Sequence, residues 1–224
     1  MGTIKTFIKK HIIGTDLEYI SHFETLLFMF KHYLKDFKPH NLLDVGCNDG
    51  KRTLEAMKLF SLQTKETYGV EYEEHCVEKC EGIFNAARID LDKERLPYHD
   101  DMFSLVICNQ VIEHLKNTGD VINDIIRVTQ PGGYIIIGVP NLAHLINRFF
   151  LLLGIQPMCI GINSSHVRGF THQGFLKYLN KLNSVTVIAS AGAVMYPFPV
   201  IIGNLLGKYF PGLSGYTCYL LKKV

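Results

Sequence analysis

Apolar positions along this chain follow two rhythms. Residues 16–36 place Ile20, Phe23, Leu27, Phe30 and Leu34 three or four apart, which predicts a helix ended by Pro39. Short apolar runs follow at 42–45, 66–71, 86–90, 103–109 and 133–139, with helical stretches between them. The stretch from Lys51 sets Leu54, Met57 and Phe60 on one side, and that over 118–129 turns Ile122, Ile125 and Ile126 inward, with Asp120 near its start. Near-continuous runs such as Leu105 to Cys108 and Tyr134 to Val139 suit parallel strands covered on both faces. After residue 141 the character changes. Residues 141–168 show no strand and read as an insertion over the sheet's carboxyl edge. Thr171 can cap a helix carrying Phe175, Leu176 and Leu179. Residues 185–189 and 216–221 read as strands six and seven, joined by a Pro- and Gly-rich loop from Tyr196 to Gly215. The alternation predicts an α/β fold with seven strands.

One stretch carries chemistry beyond this pattern. Leu42-Leu43-Asp44-Val45-Gly46-Cys47-Asn48-Asp49-Gly50 is an apolar run ending on an acid, then a loop with two glycines, then a helix from Lys51. Strand, glycine turn and helix in succession bring backbone N–H groups and a helix N-terminus up to a ligand. Asp44 adds a negative charge there, a handicap for a phosphate and an asset for a cation. A Walker A loop needs four residues before its Gly-Lys pair and Ser or Thr after it. Here three residues separate Gly46 from Gly50, and Arg52 follows Lys51. A G-x-G-x-x-G dinucleotide loop fails because residue 48 is Asn. The pattern that remains is Asp-x-Gly-x-x-x-Gly.

Downstream elements add to it in order. Glu66 to Glu71 is a short strand ending in an acid, the place from which a carboxylate can bind a ribose diol. Arg88-Ile89-Asp90-Leu91-Asp92, Leu96-Pro97-Tyr98, the run Phe103 to His114 and the turn Gln130-Pro131-Gly132-Gly133 follow. Across residues 40–141 this order resembles the class I S-adenosylmethionine (SAM) methyltransferases, and within them the methyltransferase type 11 family. The resemblance implies a Rossmann-like three-layer sandwich, a seven-stranded and mostly parallel sheet with an antiparallel last strand, and SAM as cofactor. It implies that Gly46, Cys47, Asn48 and Gly50 bring main chain to the methionine and ribose portions, and that Asp44 orients the amino group. Glu71 would hold the ribose hydroxyls, Tyr72 would lie against adenine, and Asp90 would accept from its amine with Leu91 packed on the ring. Asn109 would face the methionine end. The family usually has Asp where Ser104 stands, which puts local packing in question more than activity. The chain thus reads as one domain with an N-terminal helical cap over 1–38, a cofactor core over 40–141 and, from their apolar composition and place at the sheet's carboxyl edge, acceptor-side lids over 141–168 and 193–214.

Methyl transfer to oxygen gains from a general base, by about 10²–10⁴-fold. His114 follows Asn109 closely, and His144, His166 and His172 lie in or beside the first lid. His114 and His166 are the catalytic candidates. The segments 147–157 and 166–171 resemble methyltransferases of saccharide and envelope biosynthesis. The first expectation is therefore methylation of a small or lipid-linked acceptor at oxygen, saccharide or quinone-like. N- or C-methylation of a small metabolite and a non-catalytic SAM-binding protein are the alternatives.

Composition narrows this further. The 224 residues with net charge +2 carry no basic run, and the N/D-P-P-Y/F pattern of base-amine methylation is missing, which speaks against nucleic acid. Six cysteines form no C-x-x-C pair, and the ten histidines are scattered, so no metal site is expected and the thiols read as buried and free. Residues 1–10 lack a signal-peptide pattern. Residues 149–162 are too short to span a bilayer, and the uncharged stretch 182–207 is broken by Pro197, Pro199, Gly192 and Gly203. The expectation is a cytoplasmic protein open to contact with a membrane surface.

Overall fold

The computed structural model describes residues 15–224, with side chains from residue 22 onward. Its strands are β1 (Leu42–Val45), β2 (Thr67–Glu71), β3 (Asn85–Arg88), β4 (Phe103–Asn109), β5 (Thr129–Pro140), β6 (Val185–Ala193) and β7 (Tyr216–Lys223). Its helices are α1 (Thr15–Tyr33), α2 (Lys51–Phe60), α3 (Glu74–Cys80), α4 (Thr118–Val128), α5 (Leu145–Leu152), α6 (His172–Leu179) and α7 (Val200–Tyr209). The strands form one sheet in the order β3-β2-β1-β4-β5-β7-β6. β1 to β5 run parallel, while β7 is antiparallel to both neighbours, as the resemblance implied.

Alternation of side chains along the central strands feeds two cores. Val106, Cys108, Ile135 and Ile137 point into the layer holding Ile122 and Ile125 of α4 and Phe175 of α6. Leu105, Ile107 and Ile136 point into the layer holding Leu26, Met29 and Phe30 of α1 and Ala56 of α2. Both faces are covered, so β1 and β4 are buried along their whole length and read as unbroken apolar runs. Thr171 caps α6 by accepting a hydrogen bond from Gly174 N at 3.1 Å, as expected.

Three local expectations change. The stripe expected on α1 is rotated: Leu26, Met29, Phe30 and Leu34 are buried, Phe23 and Leu27 only partly, and the side chain of Ile20 lies outside the described residues. Apolar residues occupy more than one face of α1, so periodicity alone does not select the face; contact with β6, β7 and α7 does. Ser104 answers the question raised by the missing Asp. Its hydroxyl accepts from His40 N and Asn41 N and donates to Asn41 O, tying the chain before β1 to the start of β4.

The third change is the loop over 196–215, which contains the helix α7. Its glycines serve close packing rather than turns. They lie four apart on one helix face, and a Cβ on Gly207 would meet Gly192 O of β6 at 2.6 Å, while one on Gly203 would meet Met195 N at 3.0 Å. The helix backbone therefore lies directly on β6. Asn204, between them, accepts from Val194 N at 2.9 Å and donates to Glu24 of α1 at 2.9 Å. Gly207→Val should push α7 off β6 and lower stability by about 1–3 kcal/mol, read from the urea midpoint.

Candidate functional site

At the carboxyl ends of β1, β2 and β4 the structure holds a cavity of about 790 Å³. It lies where strand order reverses, the position at which open α/β sheets take ligands. Asp44, Gly46, Cys47, Asn48, Glu71, Tyr72, Asp90, Leu91, Asn109 and His114 all line it. Gly50 does not, but it caps α2 and shapes the loop from behind with φ +75°. Phe23, Leu26 and Phe30 of α1 close another wall, and Ser165 brings the 141–168 segment to the rim. No described residue of 193–214 lines the cavity.

The loop after β1 continues the sheet before it turns. Gly46 N and Cys47 N both donate to Val70 O, at 2.8 and 3.1 Å. Gly46 then takes φ +78°, and a Cβ there would lie 2.2 Å from Val111 Cγ2. Both the backbone angle and the space demand glycine. Asn48 N donates to Glu71 Oε2 at 2.9 Å, while Tyr72 N donates to Oε1 at 2.7 Å. These bonds fix the Glu71 carboxylate and leave acceptor capacity on its two oxygens. Tyr72 is 54 % exposed, with the Arg88 guanidinium 5.9 Å from its ring centre.

Asp44 is buried, and its Oδ2 accepts from the Thr53 hydroxyl of α2 at 2.6 Å. Burial raises its pKa to about 6, against the opposing pull of that hydrogen bond and of the Arg52 charge. Asp90 behaves oppositely: a hydrogen bond from Lys93, at 2.8 Å, holds its carboxyl below the usual range. Asn109 is buried; its Oδ1 accepts from the Tyr216 hydroxyl at 2.7 Å, and its Nδ2 has no partner among the described residues. Gly138 makes room for that bond, since a Cβ would stand 2.1 Å from Asn109 Oδ1.

The segment after β4 and the 141–168 segment are clamped together. Val167 N and Arg168 N donate to Glu113 O at 2.9 and 3.1 Å, and the Arg168 guanidinium donates to Lys116 O. This brings His166 beside His114, with ring centres 4.8 Å apart. Burial lowers the His166 pKa against the pull of its bond to Cys159 O. Glu113 is fully buried between these segments, and burial lifts its carboxyl to about 8. His144 and His172 take other roles. His144 is buried with its pKa lowered to about 4 by burial, its ring against Tyr196, and His172 stacks on Tyr219. Neither lines the cavity.

Two participants escaped sequence reasoning. Arg52 lines the cavity opposite in charge to Asp44; its signal was a cation two residues into the helix after the loop. Glu113 entered the sequence reading only as part of the run Phe103 to His114, because its burial depends on contacts with residues 167 and 168. The cysteines are as expected: all six are free, and five are buried.

Comparison with known proteins agrees with this geometry. Residues 43–137 match the family described as "Methyltransferase domain". Norajmaline N-methyltransferase of Rauvolfia serpentina is 34 % identical over 104 residues, 45 % of this chain and 36 % of that one. The chain thus spans little more than a third of that relative's length. A SAM-dependent methyltransferase from Archaeoglobus fulgidus shares the fold with a TM-score of 0.60 at 17 % identity, covering 98 % of this chain and 99 % of that one. So does the N-methyltransferase NodS of Bradyrhizobium japonicum, solved with S-adenosylhomocysteine, with a TM-score of 0.61 at 13 % identity over 92 % and 87 %. Residues 43–137 are thus similar to a methyltransferase domain, and the whole sheet shares the fold of SAM-dependent methyltransferases of known structure.

The buried Asp44 carboxylate has a consequence for stability. Its raised folded pKa means that the neutral acid is favoured in the fold, a contribution complete below about pH 4 and lost as pH rises through about 6. Asp44→Asn should therefore gain stability relative to wild type across that window and level off above it, by on the order of 2–3 kcal/mol. Urea midpoints of both proteins from pH 4 to 8 check this; a constant difference would show that Asp44 is not buried as a charge.

Proposed function

We propose that this chain is a SAM-dependent methyltransferase acting on a small-molecule acceptor. The observation that carries the reading is the convergence of Asp44, Glu71 and Asp90, from the ends of three neighbouring parallel strands, on one cavity beside the glycine loop. Each chemical part of SAM finds a complementary group. Asp44 suits the ammonium, and Arg52 suits the carboxylate of the same amino acid end. The unpartnered Asn109 Nδ2 is a further donor for that carboxylate. Glu71 suits the ribose diol, while Asp90 suits the adenine amine, with Leu91 and Tyr72 against the ring. Gly46, Cys47, Asn48 and Gly50 let the main chain approach without side chains in the way.

When bound, SAM supplies a methyl group on a sulfonium, a leaving group that is already activated. The protein's share is to hold donor and acceptor in line, a contribution that can reach effective molarities of about 10⁵–10⁸ M. His114 lines the cavity, placed to take a proton from a hydroxyl acceptor, and the His166 ring lies against it. Oxygen is accordingly the first reading for the acceptor atom. Nitrogen is the second, favoured by the names of the N-methyltransferase relatives. The family match ends at residue 137, before the segment that brings Ser165 to the rim. Leu152, Leu153 and Ile162 in that segment are 81 %, 71 % and 95 % exposed, which supports an acceptor with an apolar or lipid-linked portion and contact with a membrane surface. No helix of the described residues is long and apolar enough to cross a membrane.

Titration calorimetry with S-adenosylhomocysteine tests cofactor binding directly. Glu71→Ala should weaken binding by about 1.5–3 kcal/mol through loss of a charged acceptor, and Gly46→Val should abolish it while the far-UV spectrum stays native. Affinity should also fall as pH drops through about 6, where Asp44 takes up a proton. No binding by the wild type, or equal affinity in Glu71→Ala, would sink the assignment.

Turnover is a separate measurement. Release of S-adenosylhomocysteine is followed with a hydroxyl pool and an amine pool as acceptors. His166→Ala and Arg168→Ala should spare cofactor binding and lower turnover at least tenfold. Binding without turnover in either pool would favour a non-catalytic role.

A further inference from the structure

Glu113, His114 and His166 form a cluster that proton transfer alone does not explain. Each offers one ligand atom, and the three atoms lie within 4.8 Å of one another. Both Glu113 carboxylate oxygens are buried and have no hydrogen-bond partner among the described residues. Oε1 lies 4.0 Å from His114 Nε2, too far for a hydrogen bond. Both imidazoles are oriented in the same way. Nδ1 of His114 lies 3.2 Å from Ser165 O, and Nδ1 of His166 lies 2.8 Å from Cys159 O. A carbonyl can only accept, so each Nδ1 carries the proton and each Nε2 keeps its lone pair. That tautomer, fixed by a backbone carbonyl, is one in which histidines bind metal ions through Nε2. The backbone bonds from residues 167 and 168 to Glu113 O hold the two segments together.

We propose that Glu113, His114 and His166 bind a divalent transition-series cation on the wall of the cavity, where it takes a hydroxyl oxygen of the methyl acceptor. Two imidazole nitrogens and one carboxylate oxygen suit zinc, cobalt or manganese better than magnesium or calcium. Donors about 2.0–2.2 Å from a common ion stand roughly 3–3.5 Å apart, so binding draws the cluster in by about 1 Å. Three protein ligands leave at least one coordination position open. His114 and Ser165 line the cavity, which places that position on the acceptor side. A hydroxyl bound there loses its proton to solvent more readily. Its oxygen pair forms the O–CH₃ bond as the C–S pair returns to sulfur, and the cation keeps its charge throughout. The acceptor role rests on the methyl-transfer reading above; the metal site does not.

Purified protein stripped with a chelator is titrated with Co²⁺ alone, followed by visible absorption, and with Zn²⁺ by calorimetry. One ion per chain should bind, Glu113→Gln and His166→Ala should each weaken it at least tenfold, and Mg²⁺ should not compete. Catechol, as a hydroxyl probe, should shift the Co²⁺ bands. S-adenosylhomocysteine binding by the same preparations, which neither variant should change, shows that the cavity is folded and reports on the cofactor reading separately. No stoichiometric Co²⁺ binding, or equal binding in both variants, overturns the site. Co²⁺ bands indifferent to catechol overturn its acceptor role.

Discussion

The pairing of β1 with β2 on one side and β4 on the other is the constraint from which the rest of the molecule follows. β1 is only four residues long and buried throughout, so it has no freedom except at its carboxyl end. There the chain is still held by Val70 O through two successive N–H groups before Gly46 lets it turn. The chain extends the sheet outward to β3 on one side and to β4 and β5 on the other. Loops leaving β1 and β4 therefore part, and the gap between them is the cavity. Asp44, Glu71 and Asn109 face it because each ends or nearly ends a strand bordering that gap.

Placing carboxylates at such an edge has an energetic cost, and the structure distributes it unevenly. Glu71 and Asp90 are satisfied by backbone N–H groups and by Lys93, respectively. Asp44 has one hydroxyl partner and the field of Arg52, too little to offset its burial. Glu113 has neither. Buried polar groups left short of partners cost stability and persist where a ligand can supply what is missing. Of the two under-satisfied acids, Asp44 lines the cavity and Glu113 belongs to the cluster with His114 and His166.

The 141–168 segment adds a second level of organisation. Asn141 anchors its start: its side chain donates to Ser214 O at 2.8 Å and accepts from Ala143 N and His172 N. One buried amide thus ties the end of β5 to the approach to β7 and to α6. The exposed apolar side chains of α5 and the following turn are carried on this anchored frame.

The sequence by itself determined whatever depends on near neighbours. Alternating apolar runs placed all seven strands, glycines four apart marked the loop after β1, and Thr171 marked the start of α6. Strand ends then identified Asp44 and Glu71 as wall residues, because a strand's last side chains face the sheet's edge wherever the strand lies. Only the tertiary structure decided matters that depend on distant partners. Helix or loop over 200–209 turned on whether its glycines met a backbone, and that backbone is Gly192. Which face of α1 is buried turned on β6 and β7. Asn109 meets Tyr216 across 107 positions, and His114 meets Ser165 across 51. In the sequence His166 stands out as a catalytic candidate, while Glu113 stands only as the neighbour of His114. Burial of Glu113 and the backbone bonds from residues 167 and 168 to Glu113 O bring them together, and both are properties of packing rather than of residue type.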